Sequence, residues 1–108
     1  MKDRNAIFKV FSNEVRLKIF EFLLEGKMCV SGIVNRLHVT QPTVTQHLKI
    51  LQQADLIKSE KIGYWMHYSI NDTGFNKTKK ELMHFINNLN VKKTKCTIPV
   101  VKCPAKKS

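Results

Sequence analysis

The chain predicts an α+β, mostly helical fold: a winged helix-turn-helix of about five helices and a two-stranded β-wing, assembled as a homodimer. Three observations predict it. Residues 38–68, HVTQPTVTQHLKILQQADLIKSEKIGYWMHY, pass from a turn through a Thr/Gln-studded helix opened by Pro42 into a hairpin tipped at Gly63, the order in which a helix-turn-helix is followed by its wing. The outer stripe of that helix carries amides and hydroxyls, where an ordinary surface helix carries Glu and Lys. A chain of 108 residues at 43% hydrophobic builds only a thin core, so burial shared with a second copy is expected.

Each element has a local cause. Ile7, Phe8, Val10 and Phe11 mark a short first helix, and Ser12 or Asn13 is a suitable N-cap for a second over 14–25. Val15, Ile19, Phe22 and Leu23 repeat at helical spacing there, and Gly26 ends the run. Val30, Ile33, Val34 and Leu37 give a short third helix, after which His38 takes a position suited to positive φ. Thr40 caps the fourth helix, and Pro42 fits its first turn, where no backbone donor is needed. Val44, Leu48, Leu51 and Ala54 face inward from it, leaving Thr43, Thr45, Gln46, Lys49 and Gln53 outside.

Residues 56–61 and 64–70 read as two strands, with Met66, Tyr68 and Ile70 inward and the turn at Ile62-Gly63. Trp65 is expected to pack against the domain. A last helix over 72–90 carries Phe75, Leu82, Phe85, Ile86 and Leu89 as an apolar stripe. Phe75, Leu82, Ile86 and Leu89 are more apolar surface than a thin core covers, which again points to a dimer. Residues 1–90 thus form one DNA-binding and dimerisation domain, and 91–108 a Lys-rich, Cys-containing tail.

The formal net charge of +11 and a pI near 9.8 favour a polyanionic partner. Lys92, Lys93, Lys95, Lys102, Lys106 and Lys107 lie in the acid-free tail, yet the remainder is still net basic. The charged MKDRNAIFKVF start and the lack of a long apolar run predict a cytoplasmic protein without a membrane anchor. No acid/base pair, activated nucleophile or phosphate loop supports an enzyme. RNA binding is disfavoured because surface aromatics are not interleaved with the basic residues.

Double-stranded DNA fits best. Gln matches adenine, Thr presents a hydroxyl and a methyl to thymine, and Lys suits guanine or phosphate. Gln41, Thr43, Thr45, Gln46 and Lys49 supply that set from the early turns of the fourth helix, where such helices meet base edges. Lys58, Lys61 and Tyr64 on the hairpin, and Arg36 beside the turn, suit phosphate or minor-groove contacts. His47 reads as a packing or phosphate-facing residue on the helix flank.

The segments FKVFSNEVRLKIFEFLLEGKMCV, TQPTVTQHLKILQQADLI and GYWMHYSI, covering about residues 5–90, resemble the ArsR/SmtB family of metal-responsive repressors. The resemblance implies a homodimer built on the first and last helices. It also implies a palindromic operator, released by an effector, with Gln41, Thr45 and Gln46 at DNA-contacting positions. One departure concerns the Cys-Val-Cys segment of arsenic and cadmium sensors, which here reads Cys29-Val30-Ser31. The last helix offers only His84 with Asp72 and Glu81 for the family's zinc site, an incomplete set.

DNA binding requires no cofactor on this reading. Cys29, Cys96 and Cys103 are the candidate ligands for arsenic(III), lead or cadmium, since thiolates select soft ions. The lysines around Cys96 and Cys103 favour their thiolate form, while the six-residue gap between them is too long for a structural zinc knuckle. The expected function is a sequence-specific repressor relieved by a thiophilic ion, arsenite foremost. Two alternatives stay open: a thiol-redox or sulfide-responsive repressor on the same fold, and a DNA-binding regulator without a small effector in which the cysteines are incidental.

Overall fold

The computed structural model describes residues 4–91 as five helices and three strands: α1 Arg4–Phe11, α2 Glu14–Glu25, β1 Met28–Cys29, α3 Val30–Leu37, α4 Gln41–Gln53, β2 Ile57–Ile62, β3 Trp65–Ile70 and α5 Asp72–Asn87. Cys96, Cys103 and the tail lysines lie outside the described residues. Helix boundaries follow the caps. The Asn13 side chain accepts the Arg16 backbone N–H at 3.0 Å and opens α2. The Gly26 N–H donates to the Leu23 carbonyl and closes it. His38 takes the left-handed conformation (φ 58, ψ 38), donating its N–H to the Val34 carbonyl at 2.8 Å, so α3 ends as the sequence suggests.

Thr40 caps α4 by accepting the Thr43 N–H, with Pro42 in the first turn. Val44, Leu48 and Leu51 are then buried against Ile19, Phe20 and Leu23 of α2 and Ile33 of α3, in one cluster that also takes in Ala54, Leu56 and Ile57. Fully burying side chains of this size contributes about 1.5–3 kcal/mol each. Phe11, Phe20 and Phe75 extend the cluster through edge-on ring contacts at 5.3 Å and 5.1 Å.

The sheet is antiparallel with order β1-β3-β2, one strand more than the two-stranded wing expected. Two residues carry no visible period, and β1 exists only because the free edge of β3 offers backbone partners, pairing Met28 with Tyr68 and Cys29 with His67. Ile62 pairs with Trp65, placing the turn at Gly63-Tyr64, one residue later than predicted, with Gly63 at φ 64. Tyr68 and Ile70 pack on the core as expected. Met66 does not: it is exposed, because the hairpin has by then run past the helices that cover its base. Trp65, expected to pack on the domain, is exposed for the same reason.

The last helix stops at Asn87 rather than near Asn90. Its predicted stripe divides. Phe75 turns into the chain's own core against Phe20, Leu82 and Phe85 are half-buried, and Ile86 and Leu89 face solvent. Phe85 meets Phe8 of α1 edge-on at 5.6 Å, tying the two terminal helices together.

One close approach joins α5 to the end of α4. Asp55, itself at φ 62, presents its carbonyl directly to Gly74, where a Cβ would overlap the oxygen. Backbone cannot yield as a flexible side chain does. Gly74→Ala is therefore expected to destabilise the fold by about 1–3 kcal/mol, read as a lowered midpoint in urea unfolding; an unchanged midpoint would show that the two segments separate freely.

Candidate nucleic-acid interface

Burying Val44, Leu48 and Leu51 leaves the opposite face of α4 no choice but solvent. Gln41, Thr45, Gln46 and Lys49 are exposed there and, with Pro42, line a shallow open concavity of about 670 Å³. Four of the five base-reading candidates on this helix thus share one surface. Thr43 sits apart: it is half-buried, and its hydroxyl lies 2.8 Å from the Thr40 hydroxyl in the cap.

His47 is on the flank, half-buried, with Nδ1 buried and lacking a hydrogen-bond partner. Its burial, and secondarily the Arg16 charge, hold its pKa below the ordinary value of 6.5. Neutral imidazole is a packing group at physiological pH, so His47 adds no positive charge beside the exposed face of α4. Arg16 in turn donates from Nη1 to the Val10 carbonyl at 3.3 Å, which links α2 to α1.

The hairpin is secured to α4 at its base, where Gln52 Nε2 donates to Ser59 Oγ at 3.1 Å. Sequence reasoning missed Gln52 as a positioning residue, since nothing around it signals that a strand will pass alongside. Lys58 and Lys61 are exposed on β2, and Tyr64 stands at the apex. Glu60 approaches Lys27 at 3.8 Å. Arg36, read from sequence as a phosphate contact, is engaged within the chain: Nη1 donates to Glu25 at 2.9 Å, and the guanidinium lies 3.9 Å from the Phe22 ring centroid. Both members of the pair are substantially exposed, so it orients α3 on α2 more than it stabilises.

Of the candidate thiols, the structure places Cys29 alone. It is free and half-buried, at the point where β1 becomes α3, and acts as N-cap residue without a side-chain cap bond. Across the ladder it faces His67. Among the described residues no group of three His, Cys, Asp or Glu side chains is placed to hold a metal ion; Cys96 and Cys103 fall outside them. His84, from the last-helix set, sits beside Asn88, with Nε2 3.1 Å from Nδ2. Among the described residues no helix is long and apolar enough to cross a membrane.

Comparison with known proteins agrees with this geometry. Residues 13–59, from the α2 cap into the first half of β2, match the family described as bacterial regulatory protein, arsR family. The transcriptional repressor SdpR of Bacillus subtilis is 32% identical over 83 residues, covering 77% of this chain and 92% of that protein. An arsenical resistance operon repressor of the same organism is 40% identical over 70 residues, covering 64% of this chain and 67% of its own length. An ArsR-like transcriptional regulator from Rhodococcus sp. RHA1 superposes with a TM-score of 0.68 at 28% identity, over 77% of this chain and 78% of that one. The chain belongs to the arsR family of bacterial regulatory proteins and is a DNA-binding transcriptional repressor, not an enzyme.

Proposed function

We propose that the chain represses transcription as a homodimer, reading a palindromic operator with α4 and leaving it when a thiophilic ion is bound. The observation that carries the DNA contact is the shared exposed surface of Gln41, Thr45, Gln46 and Lys49 beside a basic hairpin. In this reading Gln46 and Thr45 meet base edges from the second turn of α4, and Gln41 contacts the DNA from the first residue of that helix. Lys49 meets guanine or phosphate, Lys61 meets phosphate and Tyr64 the minor groove beside it, and Thr43 supports the cap.

The dimer reading is supported by the apolar surface left on α5. Ile86 is 56% exposed and Leu89 59%, both near the Phe8–Phe85 contact that joins α1 to α5. A second copy laid across these two helices covers that surface with its equivalent, as two-fold association requires, and presents two α4 helices to successive half-sites.

For the effector, Cys29 with Cys96 and Cys103 forms the candidate thiol set, with arsenic(III) as first choice and lead or cadmium behind it. The arsenical resistance operon repressors among its relatives support that choice. The position of Cys29 supplies a route for release. It lies on β1, hydrogen-bonded to the central wing strand, and begins α3, which packs on α4. An ion drawing on this thiol biases the wing and the reading helix together, so ion and operator oppose each other through their preferred orientations.

Fluorescence anisotropy on a duplex selected from a random library tests the DNA assignment. Gln46→Ala is expected to cost about 1–3 kcal/mol on that duplex and little on unrelated DNA. Lys61→Ala should weaken both and make the salt dependence shallower by about one charge. Equal loss on both duplexes for Gln46→Ala would remove its base-reading role.

Sedimentation tests the assembly. The wild type should be dimeric at micromolar concentration, and Ile86→Glu should give monomers that no longer bind the selected duplex, because two charges would be buried against each other. A wild-type monomer that still binds a palindrome would contradict it.

Release assays test the effector. Arsenite should displace the wild type from DNA but not the Cys96→Ser/Cys103→Ser double variant, while Cys29→Ser should keep some arsenite binding and lose most of the release. Unimpaired release by the double variant would exclude the tail thiols.

A further inference from the structure

The hairpin tip carries an apolar surface that neither folding nor phosphate contact accounts for. Tyr64 is 96% exposed, Trp65 62%, Met66 43% and Ile62 42%. Ile62 and Trp65 are cross-strand partners, so their side chains stand together on one face of the hairpin, with Tyr64 at the apex. A tip that served phosphates alone would need only lysine, and Lys58 and Lys61 are already exposed on β2. A cluster of large exposed apolar groups with a charged rim marks a contact surface. Here that rim is positive, since the one acid on β2, Glu60, is paired with Lys27. The occupant must therefore be polyanionic outside and apolar within, which describes a base stack lying between two phosphate rows.

The tip is also placed and stiffened for such a partner. Gly63 and Tyr64 form a two-residue turn, the strands pair without interruption from Ile57↔Ile70 to Ile62↔Trp65, and Gln52 holds the hairpin base to α4. A six-residue strand spans about 20 Å at the usual rise, enough to carry the tip from a major-groove helix to the flanking minor groove.

We infer that Tyr64 and Trp65 enter that minor groove as an apolar wedge, with Ile62 behind them, partly opening one base step and bending the operator. Wedges of this kind cost unstacking energy that depends on the step opened. They therefore read sequence through deformability, favouring TA and CA/TG steps where no side chain meets a base edge. The inference rests on the DNA-binding reading above and adds a second source of specificity to it, distinct from Gln46.

The chain has a single tryptophan, so Trp65 reports on itself. With the full-length protein and the selected duplex, its emission should be quenched and shielded from acrylamide on binding. Energy transfer between labelled duplex ends should show a bend. Trp65→Ala should remove most of the bend, weaken binding about tenfold and abolish preference for a flexible flanking step, whereas Trp65→Phe should keep all three. Thermal melts serve as the folding control, and an exposed position should leave them unchanged. Unaltered acrylamide access on binding, or the same bend with Trp65→Ala, would overturn the wedge. So would blue-shifted, quencher-resistant emission before DNA is added, which would assign Trp65 to a contact between copies. Tight binding to a duplex that stays straight would refute the wedge and leave the DNA reading intact, while binding to no duplex would refute both.

Discussion

Everything that faces outward in this protein depends on what α4 buries. Val44, Leu48 and Leu51 are almost wholly removed from solvent against α2 and α3, and a helix with one face so committed has its other face determined by geometry. Gln41, Thr45, Gln46 and Lys49 are presented because the apolar residues cannot be rotated out without losing several kcal/mol. The α4 caps act in the same direction. Thr40 sets where the helix begins, and the left-handed His38 sets the angle at which it leaves α3. A reading helix must be rigid relative to its scaffold to meet base edges within hydrogen-bond tolerance, and here the core provides that rigidity.

The hairpin continues the logic. Its base is part of the core through Ile57, Tyr68 and Ile70, and the Gln52–Ser59 bond joins it to α4, whereas its tip extends beyond any helix and keeps its large side chains in solvent. One hairpin is thus structural at one end and free for binding at the other. The two-residue strand β1 adds a further link. Through its pairing with β3, the segment that carries Cys29 touches the wing and α3 at once, so a perturbation at this thiol has a short path to the wing and, through α3, to α4.

Much of the fold was legible in the sequence because it rests on local rules. Asn13, Thr40 and Gly63 each carry a cap or turn through their own chemistry. The helical spacing of Ile19 and Leu23, or of Val44, Leu48 and Leu51, reports burial directly. The family was also readable, since the TQPTVTQHLKIL run joins cap, core face and reading face in one continuous segment.

The remainder required the tertiary structure, for reasons tied to non-local partners. A two-residue strand has no period of its own and forms only when an edge is near. Met66 alternates correctly with Tyr68 and Ile70, yet lies where no helix covers it, and alternation alone does not say how far a covering layer extends. Trp65 reads as a core residue by type but projects from the tip. Arg36 reads as a free cation until Glu25 and Phe22 are brought beside it. On α5, helical spacing marks Phe75 and Ile86 alike as apolar, and only packing separates the residue that fills this chain's core from the one left exposed. The sequence by itself determined which faces are apolar and where capped helices begin, because those follow from neighbours along the chain. Which apolar face finds cover, and which is left to bind something else, was decided only when distant segments met.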